Sequence, residues 1–290
     1  MIDVKIKHLE FNSKLPVGFE IIDVDDHYAN AKKNLASPHR ASFYCIIWFE
    51  KGDVIHQVDF NQIIIQANTF LFVRKDAVQF FDHQHKFNSQ VLLFTDTFFS
   101  KNSSDHQFLK STPLFNDLSG TSAYAVLTAS PLLQILWKLM KDEFNHRIDQ
   151  YKPDMLRNHL HTFMLSAERE RKEQGHQEVQ PHIQLDYLIL FKDQLEKHFH
   201  EQQKVGFYAD KLAITNKVLT NATQKITGKT PKQLADERVL LEAKRLLIYS
   251  NGTGKTIGFS LGFEEPTNFI KFFRKQTGLT PTAFRTRYLS

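Results

Sequence analysis

Hydrophobic positions change their rhythm along this chain. In the first hundred residues they come in short bursts: Ser42 to Phe49, Val54 to Phe60, Ile63 to Ile65, Thr69 to Val73 and Gln90 to Phe94, rich in Ile, Val, Phe and Tyr. Turn-forming stretches such as Lys51-Gly52-Asp53 and Gln66-Ala67-Asn68 separate them, and short strands at this spacing predict a sandwich or small barrel. From about Ser130 the period becomes helical. Ser130-Pro131 supplies an N-cap and a first-turn proline, and Leu132, Ile135, Leu136, Leu139 and Met140 recur at helical offsets. A second helix, from about Pro153 to Lys172, sets Met155, Leu156, His159, Leu160, Phe163 and Met164 on one stripe. Gly175 to Pro181 reads as a linker. A helix from about Ile183 to Gln202 follows, with Leu185, Leu188, Ile189, Phe191, Leu195 and Phe199 on its apolar side.

The last third of the chain contains an internal repeat. Thr227-Gly228-Lys229-Thr230-Pro231 recurs 50 residues later as Thr277-Gly278-Leu279-Thr280-Pro281. In each copy glycine ends one helix, threonine caps the next, and proline, with no N–H to lose, takes its first turn. Thr230 and Gln233 have the spacing of a capping box. Ahead of each pentad lie a short helix, a tight connection and a longer helix, the outline of a helix-turn-helix. The short helices are Phe207 to Ala213 and Lys255 to Leu261, the latter followed by Gly262. The longer ones turn Val218, Leu219, Ala222 and Ile226 inward in the first copy and Phe269, Phe272 and Phe273 in the second. Between the copies, Pro231 to Tyr249 reads as one helix burying Leu240, Ala243, Leu246 and Leu247. Its 19 residues span about 28 Å, near the roughly 34 Å between successive major-groove faces of DNA. Two recognition helices would then meet adjacent grooves.

Charge sharpens this division. The 290 residues carry a formal net charge of +5, but residues 183–290 hold 17 Lys and Arg against 10 Asp and Glu, and residues 1–182 hold 20 against 22. A basic domain joined to a near-neutral one suits a polyanion. With 41% hydrophobic residues both parts can bury a core. One cysteine forms no internal disulfide, and the first residues lack the apolar core of a signal peptide. The longest apolar run, Phe43 to Phe49, falls far short of the roughly 20 residues of a membrane helix. A cytoplasmic protein is expected.

Residues 183–290 resemble the DNA-binding domain of the AraC/XylS family of bacterial transcription regulators. The resemblance is carried by Ile257-Gly-Phe-Ser-Leu-Gly-Phe-Glu-Glu-Pro-Thr-Asn-Phe-Ile-Lys-Phe-Phe-Arg-Lys-Gln-Thr-Gly-Leu-Thr-Pro-Thr-Ala-Phe-Arg285, with Glu242-Ala-Lys-Arg-Leu-Leu247 and Phe207-Tyr-Ala-Asp-Lys-Leu212. Two residues depart from it: Gly254 stands where a branched apolar residue is usual and Thr256 where an acid is usual, which predicts a looser start to that helix. The resemblance implies that Lys217, Thr220, Asn221, Thr267, Asn268 and Lys271 read bases. Lysine can donate to guanine O6 and N7, and asparagine can pair with the adenine edge. Gln224, Lys225, Arg274 and Lys275, further along, are expected on phosphates, which position a protein without reading sequence. Phe259, Phe263, Phe269, Phe272 and Phe273 are expected in the core.

In this family a cupin-like β-barrel often comes first, and Pro38-His39-Arg-Ala-Ser-Phe-Tyr-Cys-Ile-Ile-Trp48 resembles its early strand. The implied fold class is a multidomain α+β chain: a cupin-like β sensor over 1–125, a helical pair over 126–174 as candidate dimer contact, a linker over 175–182, and an all-α double helix-turn-helix domain over 183–290. Cupin enzymes hold a metal with paired His and a carboxylate. Here Ala41 stands where a second His would follow His39, and Gln79 where a later one belongs, so the set is incomplete and no metal or other cofactor is expected. Twelve of the 14 histidines lie in residues 1–182. In the alternative metal grouping His83 and His85 share one side of the polar stretch Asp82 to Lys86, which reads as an exposed loop, and His56 would approach from another strand. Cys45 reads as a small core residue. Phe43, Ile47, Trp48 and Phe72 would line an apolar interior that accepts a small organic effector, or simply fill it.

With no nucleophile pattern, phosphate-cradling loop or paired catalytic carboxylates, the expected function is not enzymatic. It is a transcription regulator binding double-stranded promoter DNA, controlled by a small-molecule effector and acting as a homodimer, with RNA polymerase as a further partner and no membrane. The alternatives are a metal-dependent cupin enzyme joined to a DNA-binding domain, and an effector-free regulator whose β domain only dimerises.

Overall fold

The computed structural model describes residues 7–9, 18–24, 37–81, 87–116, 124–175, 182–201 and 204–289. The chain forms two compact units, one over residues 6–117 and 122–178, the other built on residues 179–290.

Among the described residues the N-terminal unit has ten strands in two five-stranded sheets. In spatial order the first holds β1 (Lys7–Leu9), β3 (His39–Ala41), β8 (Val78–Phe80), β5 (Val54–Val58) and β6 (Asn61–Ile65). The second holds β10 (Tyr124–Thr128), β7 (Thr69–Val73), β4 (Tyr44–Lys51), β9 (Asn88–Phe94) and β2 (Phe19–Val24). β1 and β3 run parallel and the other pairs antiparallel. The expected barrel is therefore an open pair of sheets: closure needs a continuous ladder around the wall, and among the described strands none bridges from one sheet to the other.

Side chains alternate across a strand, and the second sheet uses both of its faces. Cys45, Ile47 and Phe49 of β4, with Leu71 and Val73 of β7, pack against Val54, Val58, Ile63 and Ile65 of the first sheet. Their sequence neighbours Tyr44, Ile46, Phe70 and Phe72 face the other way, into an aromatic layer. Two short helices after β9, α1 (Asp96–Phe99) and α2 (Ser103–Ser111), contribute Phe98, Phe99 and Leu109 to that layer. Helices α3 (Pro131–Asn145) and α4 (Lys152–Glu173) cover it with Leu133, Leu136, Trp137 and Met140, and with Leu156, Leu160, Phe163, Met164 and Ala167. Trp137 Nε1 donates to Gln90 Oε1 at 2.7 Å, and the Ser130 hydroxyl caps α3 by accepting from Leu133 N. The helical pair thus belongs to the same core as the strands. Its buried face differs from the predicted stripe: Leu132, Ile135, Leu139 and Met155 are exposed, and Leu133 and Trp137 take the inner side of α3. That helix is apolar over more than one face, so periodicity alone does not choose the buried one.

The second unit consists of α5 (Ile183–His198), α6 (Val205–Lys211), α7 (Asn216–Thr227), α8 (Pro231–Tyr249), α9 (Gly254–Ser260), α10 (Pro266–Thr277) and α11 (Pro281–Leu289). It has two small cores. Leu188, Phe191, Leu195, Tyr208, Ala209 and Leu219 form one with Leu234 and Ala235 of α8; Ile257, Leu261, Phe269 and Phe273 form the other with Val239, Ala243 and Leu247 of the same helix. Local chemistry sets the boundaries. Thr230 and Gln233 close the capping box, and Gly228 and Gly278 end α7 and α10 with φ of 71° and 76°. The start of α9 is firm: the Thr253 hydroxyl caps it by accepting from Thr256 N at 3.1 Å, and the Thr256 hydroxyl donates back to Thr253 O at 3.0 Å. Two core assignments fail. Phe259 is 48% exposed and Val218 37%, because Ile257, Gly258 and Leu261 already fill the inner side of α9, and Leu219, Ala222 and Thr223 that of α7. Among the described residues no helix is long and apolar enough to cross a membrane.

Candidate nucleic-acid interface

The two helix pairs, α6 with α7 and α9 with α10, are joined by the same turn. In the first, Leu212, Ala213 and Ile214 donate backbone N–H groups to Ala209, Asp210 and Ala209 oxygens at 3.0–3.1 Å. In the second, Leu261, Gly262 and Phe263 donate to Gly258, Phe259 and Gly258 at 3.1–3.2 Å. Ala213 (φ 52°) and Gly262 (φ 81°) both sit in the left-handed region. These turns correspond at an offset of 49, because the second has one more residue before its recognition helix; the offset of 50 found in the sequence holds from that helix onward. A Cβ on Gly262 would lie 2.8 Å from the His200 carbonyl oxygen, and one on Gly258 would lie 3.0 Å from Phe269 Cβ. The second pair is therefore packed closely at both glycines.

Each recognition helix buries one side and offers the other. On α7, Lys217, Asn221, Gln224 and Lys225 are exposed and Thr220 is half-buried; on α10, Thr267, Asn268, Lys271, Arg274 and Lys275 are exposed. Spacings of four and three residues bring Lys217, Asn221 and Gln224 to one face, and likewise Thr267, Lys271 and Arg274. Among the described residues, Lys217, Lys225, Lys271, Arg274 and Lys275 take part in no ion pair, whereas Lys197, Lys229 and Lys232 are held by Asp193, Glu237 and Asp236. Five unpaired cations thus lie on the two recognition helices, and among the described residues Lys211 of α6 and Lys255 of α9 are likewise in no ion pair. An anion meeting this face displaces no internal partner.

Sequence reasoning gave no role to the residues that hold the two copies at a fixed spacing. Glu242 of α8 accepts from Arg238 Nη1 at 3.2 Å and Arg245 Nη1 at 3.1 Å, and Arg238 Nε donates to both oxygens of Glu196 on α5, at 3.0 and 2.9 Å. The Arg238 guanidinium lies 3.8 Å from the Phe199 ring centre, and its carboxylate partners outweigh desolvation and raise its pKa. Arg285 of α11 donates to the Leu247, Ser250 and Gly252 oxygens at 2.6, 3.2 and 2.6 Å, satisfying carbonyls at the end of α8. Charged residues along the apolar side of α8 were the available signal for the first cluster.

In the N-terminal unit the four expected effector residues do not line one pocket. Ile47 points between the sheets, Trp48 and Phe72 lie in or against the aromatic layer under the helices, and Phe43 is buried in the connection from β3 to β4. Trp48 stacks on Phe70 with ring centres 5.5 Å apart. His39 and Gln79 are cross-strand partners, and His56 Nε2 meets Gln79 Oε1 at 3.1 Å. Burial pushes the His56 imidazole down to about 4 and the Cys45 thiol up to about 12, so one is neutral and the other unreactive at pH 7. Among the described residues no three ligating side chains are placed to hold a metal ion; His83 and His85 lie outside the described residues.

Residues 208–287 match the model of a helix-turn-helix domain family. The chain is 32% identical over 101 residues to the HTH-type transcriptional activator RhaS of Escherichia fergusonii, a match covering 35% of each chain. It is 23% identical over 280 residues to the RhaS of Yersinia pestis, covering 95% of this chain and 96% of that one. The first of these relatives is thus matched over about a third of its length, the second over nearly all of it. Among solved structures, the DNA-binding domain of AdpA in complex with a target DNA is 28% identical, covering 34% of this chain and 88% of that chain with a TM-score of 0.32.

Proposed function

We propose that the chain is a transcription regulator of the AraC/XylS type, as the match of residues 208–287 to a helix-turn-helix family and the likeness to RhaS support, and that α7 and α10 read two half-elements of promoter DNA in adjacent major grooves. The observation carrying this reading is the pair of like helices with unpaired cations and amides, set on one 19-residue helix. Lys217, Thr220 and Asn221 read bases in one half-element, and Thr267, Asn268 and Lys271 in the other. Gln224, Lys225, Arg274 and Lys275 hold phosphates. Lys271→Ala is expected to weaken specific binding by about 1–3 kcal/mol, and Lys275→Ala to weaken all sequences alike and lower the salt slope by about one. Binding isotherms at several salt concentrations check both; two variants indistinguishable from the parent would contradict the assignments.

The remainder of the chain, residues 1–125 with the helical pair at 126–174, serves as sensor and dimer contact, joined by the linker at 175–182. Leu132, Ile135 and Leu139, exposed and spaced by three and four residues along α3, support a helix-to-helix contact between two copies. Ile135→Lys is expected to shift sedimentation from dimer to monomer, and a dimer unmoved by it, or a parent chain that is monomeric throughout, would oppose this reading. Control by a small organic molecule is favoured by a polar atom lodged in the aromatic layer: Trp48 Nε1 is buried without a hydrogen-bond partner. A ligand accepting from it would raise the unfolding midpoint of this unit, and Trp48→Phe would remove that response. Such a regulator works in the cytoplasm, at promoters and beside RNA polymerase.

A further inference from the structure

Each recognition helix carries one branched apolar side chain on a surface otherwise made of amides, hydroxyls and cations. Ile270 of α10 is 40% exposed and Val218 of α7 is 37% exposed. Neither belongs to the hydrophobic clusters of this unit, whose inner positions are taken by Leu219 on one helix and by Phe269 and Phe273 on the other. An isolated exposed isoleucine is ordinary on a protein surface, so position must decide. At about 100° per residue, Ile270 lies roughly 40° from Arg274 and 60° from Thr267 around the helix, and Val218 roughly 60° from Asn221 and 20° from Lys225. Both stand in the first two turns, between residues assigned to bases, Thr267 and Asn221, and residues assigned to phosphates, Arg274 and Lys225. An apolar group there, flanked by hydrogen-bond donors, has one apolar counterpart on the floor of the major groove: the C5 methyl of thymine.

We propose that Ile270 reads a thymine methyl in the half-element met by α10, and that Val218 does the same in the half-element met by α7. The inference rests on the DNA reading above and adds a base identity to it. Ile270 excludes water from the methyl while Lys271 and Arg274 supply the polar contacts beside it. Cytosine, which has no methyl and presents an amino group at the neighbouring edge, is disfavoured at that position.

The test uses the full chain and a duplex that it selects from a random-sequence pool. That duplex is resynthesised with uracil in place of each thymine in turn, which removes one methyl and leaves the pairing edge unchanged. At one thymine in the α10 half-element, uracil is expected to raise Kd about fourfold, the equivalent of about 0.8 kcal/mol for one buried carbon. Ile270→Ala, an exposed helical substitution that favours the helix, is expected to bind the thymine and uracil duplexes equally while keeping the parent's salt slope. Val218→Ala should do the same in the other half-element only. If the selected duplex binds but no uracil in the α10 half-element changes Kd, or if Ile270→Ala keeps the parent's sensitivity, the methyl assignment is overturned while the DNA reading stands. If no sequence is enriched, the DNA reading falls and takes this inference with it.

Discussion

Gly262→Ala is expected to lower the stability of the C-terminal unit by about 2–4 kcal/mol and to abolish specific DNA binding. Two costs combine. A φ of 81° is one that an alanine adopts only under strain of about 1–3 kcal/mol, and its Cβ would meet a backbone carbonyl, that of His200, at 2.8 Å. A flexible side chain could swing away from such a contact, whereas the His200 carbonyl, in the turn after α5, moves only with its backbone. The matching residue of the first motif makes the comparison internal to the molecule, because Ala213 already occupies the left-handed region at φ 52°. Ala213→Gly is expected to be neutral or to gain up to about 1 kcal/mol, the relief of strain being partly offset by a more flexible unfolded chain. Both tryptophans, Trp48 and Trp137, lie in the N-terminal unit, so their fluorescence does not report this change. Hydrogen exchange of the α8 to α10 amides does. Equal protection in Gly262→Ala and the parent would contradict the packing described at this turn.

Glu242→Leu is expected to cost about 3–5 kcal/mol, the range for breaking a buried ion cluster by removing one partner. Arg245 is only 1% exposed and loses the acceptor it has in Glu242, whereas Arg238 keeps the Glu196 carboxylate. Glu242→Gln is expected to cost less than half as much, since the amide oxygen still accepts from one guanidinium. Guanidinium denaturation followed by helical circular dichroism orders the three proteins as parent, Gln, Leu. The apolar substitution matching the parent would show that the cluster does not hold the connecting helix. Because α8 contributes to both cores, its loosening should weaken contacts to both half-elements together, in contrast to the single-motif effect of Lys271→Ala.

How much of this was legible depended on how local the determining chemistry is. The helix boundaries from Thr230 to Pro281 follow from caps within a few residues of one another, and the structure places α8 at Pro231–Tyr249 as the sequence predicts. The faces of α3 were not legible, because Leu132, Leu133, Ile135, Leu136 and Leu139 leave several apolar stripes and only the sheet beneath selects one. The proposed effector residues split for a reason that period-2 alternation contains: Ile47 and Trp48 are adjacent on β4 and must face opposite ways. Phe259 belongs to a seven-residue helix whose inner positions were already filled. The role of Arg285 depends on carbonyls more than thirty residues away, 33 in the case of Gly252, a distance over which sequence spacing carries no signal.

The central claim is that one chain reads two half-elements with two like helices, and the DNA site itself tests it most directly. In vitro selection with the full chain should enrich two short blocks whose centres lie about 10 base pairs apart, on one face of the duplex. Repeating the selection with Lys271→Ala should erase the preference in one block, and with Lys217→Ala in the other. A single enriched block, unchanged by either substitution, would contradict the account.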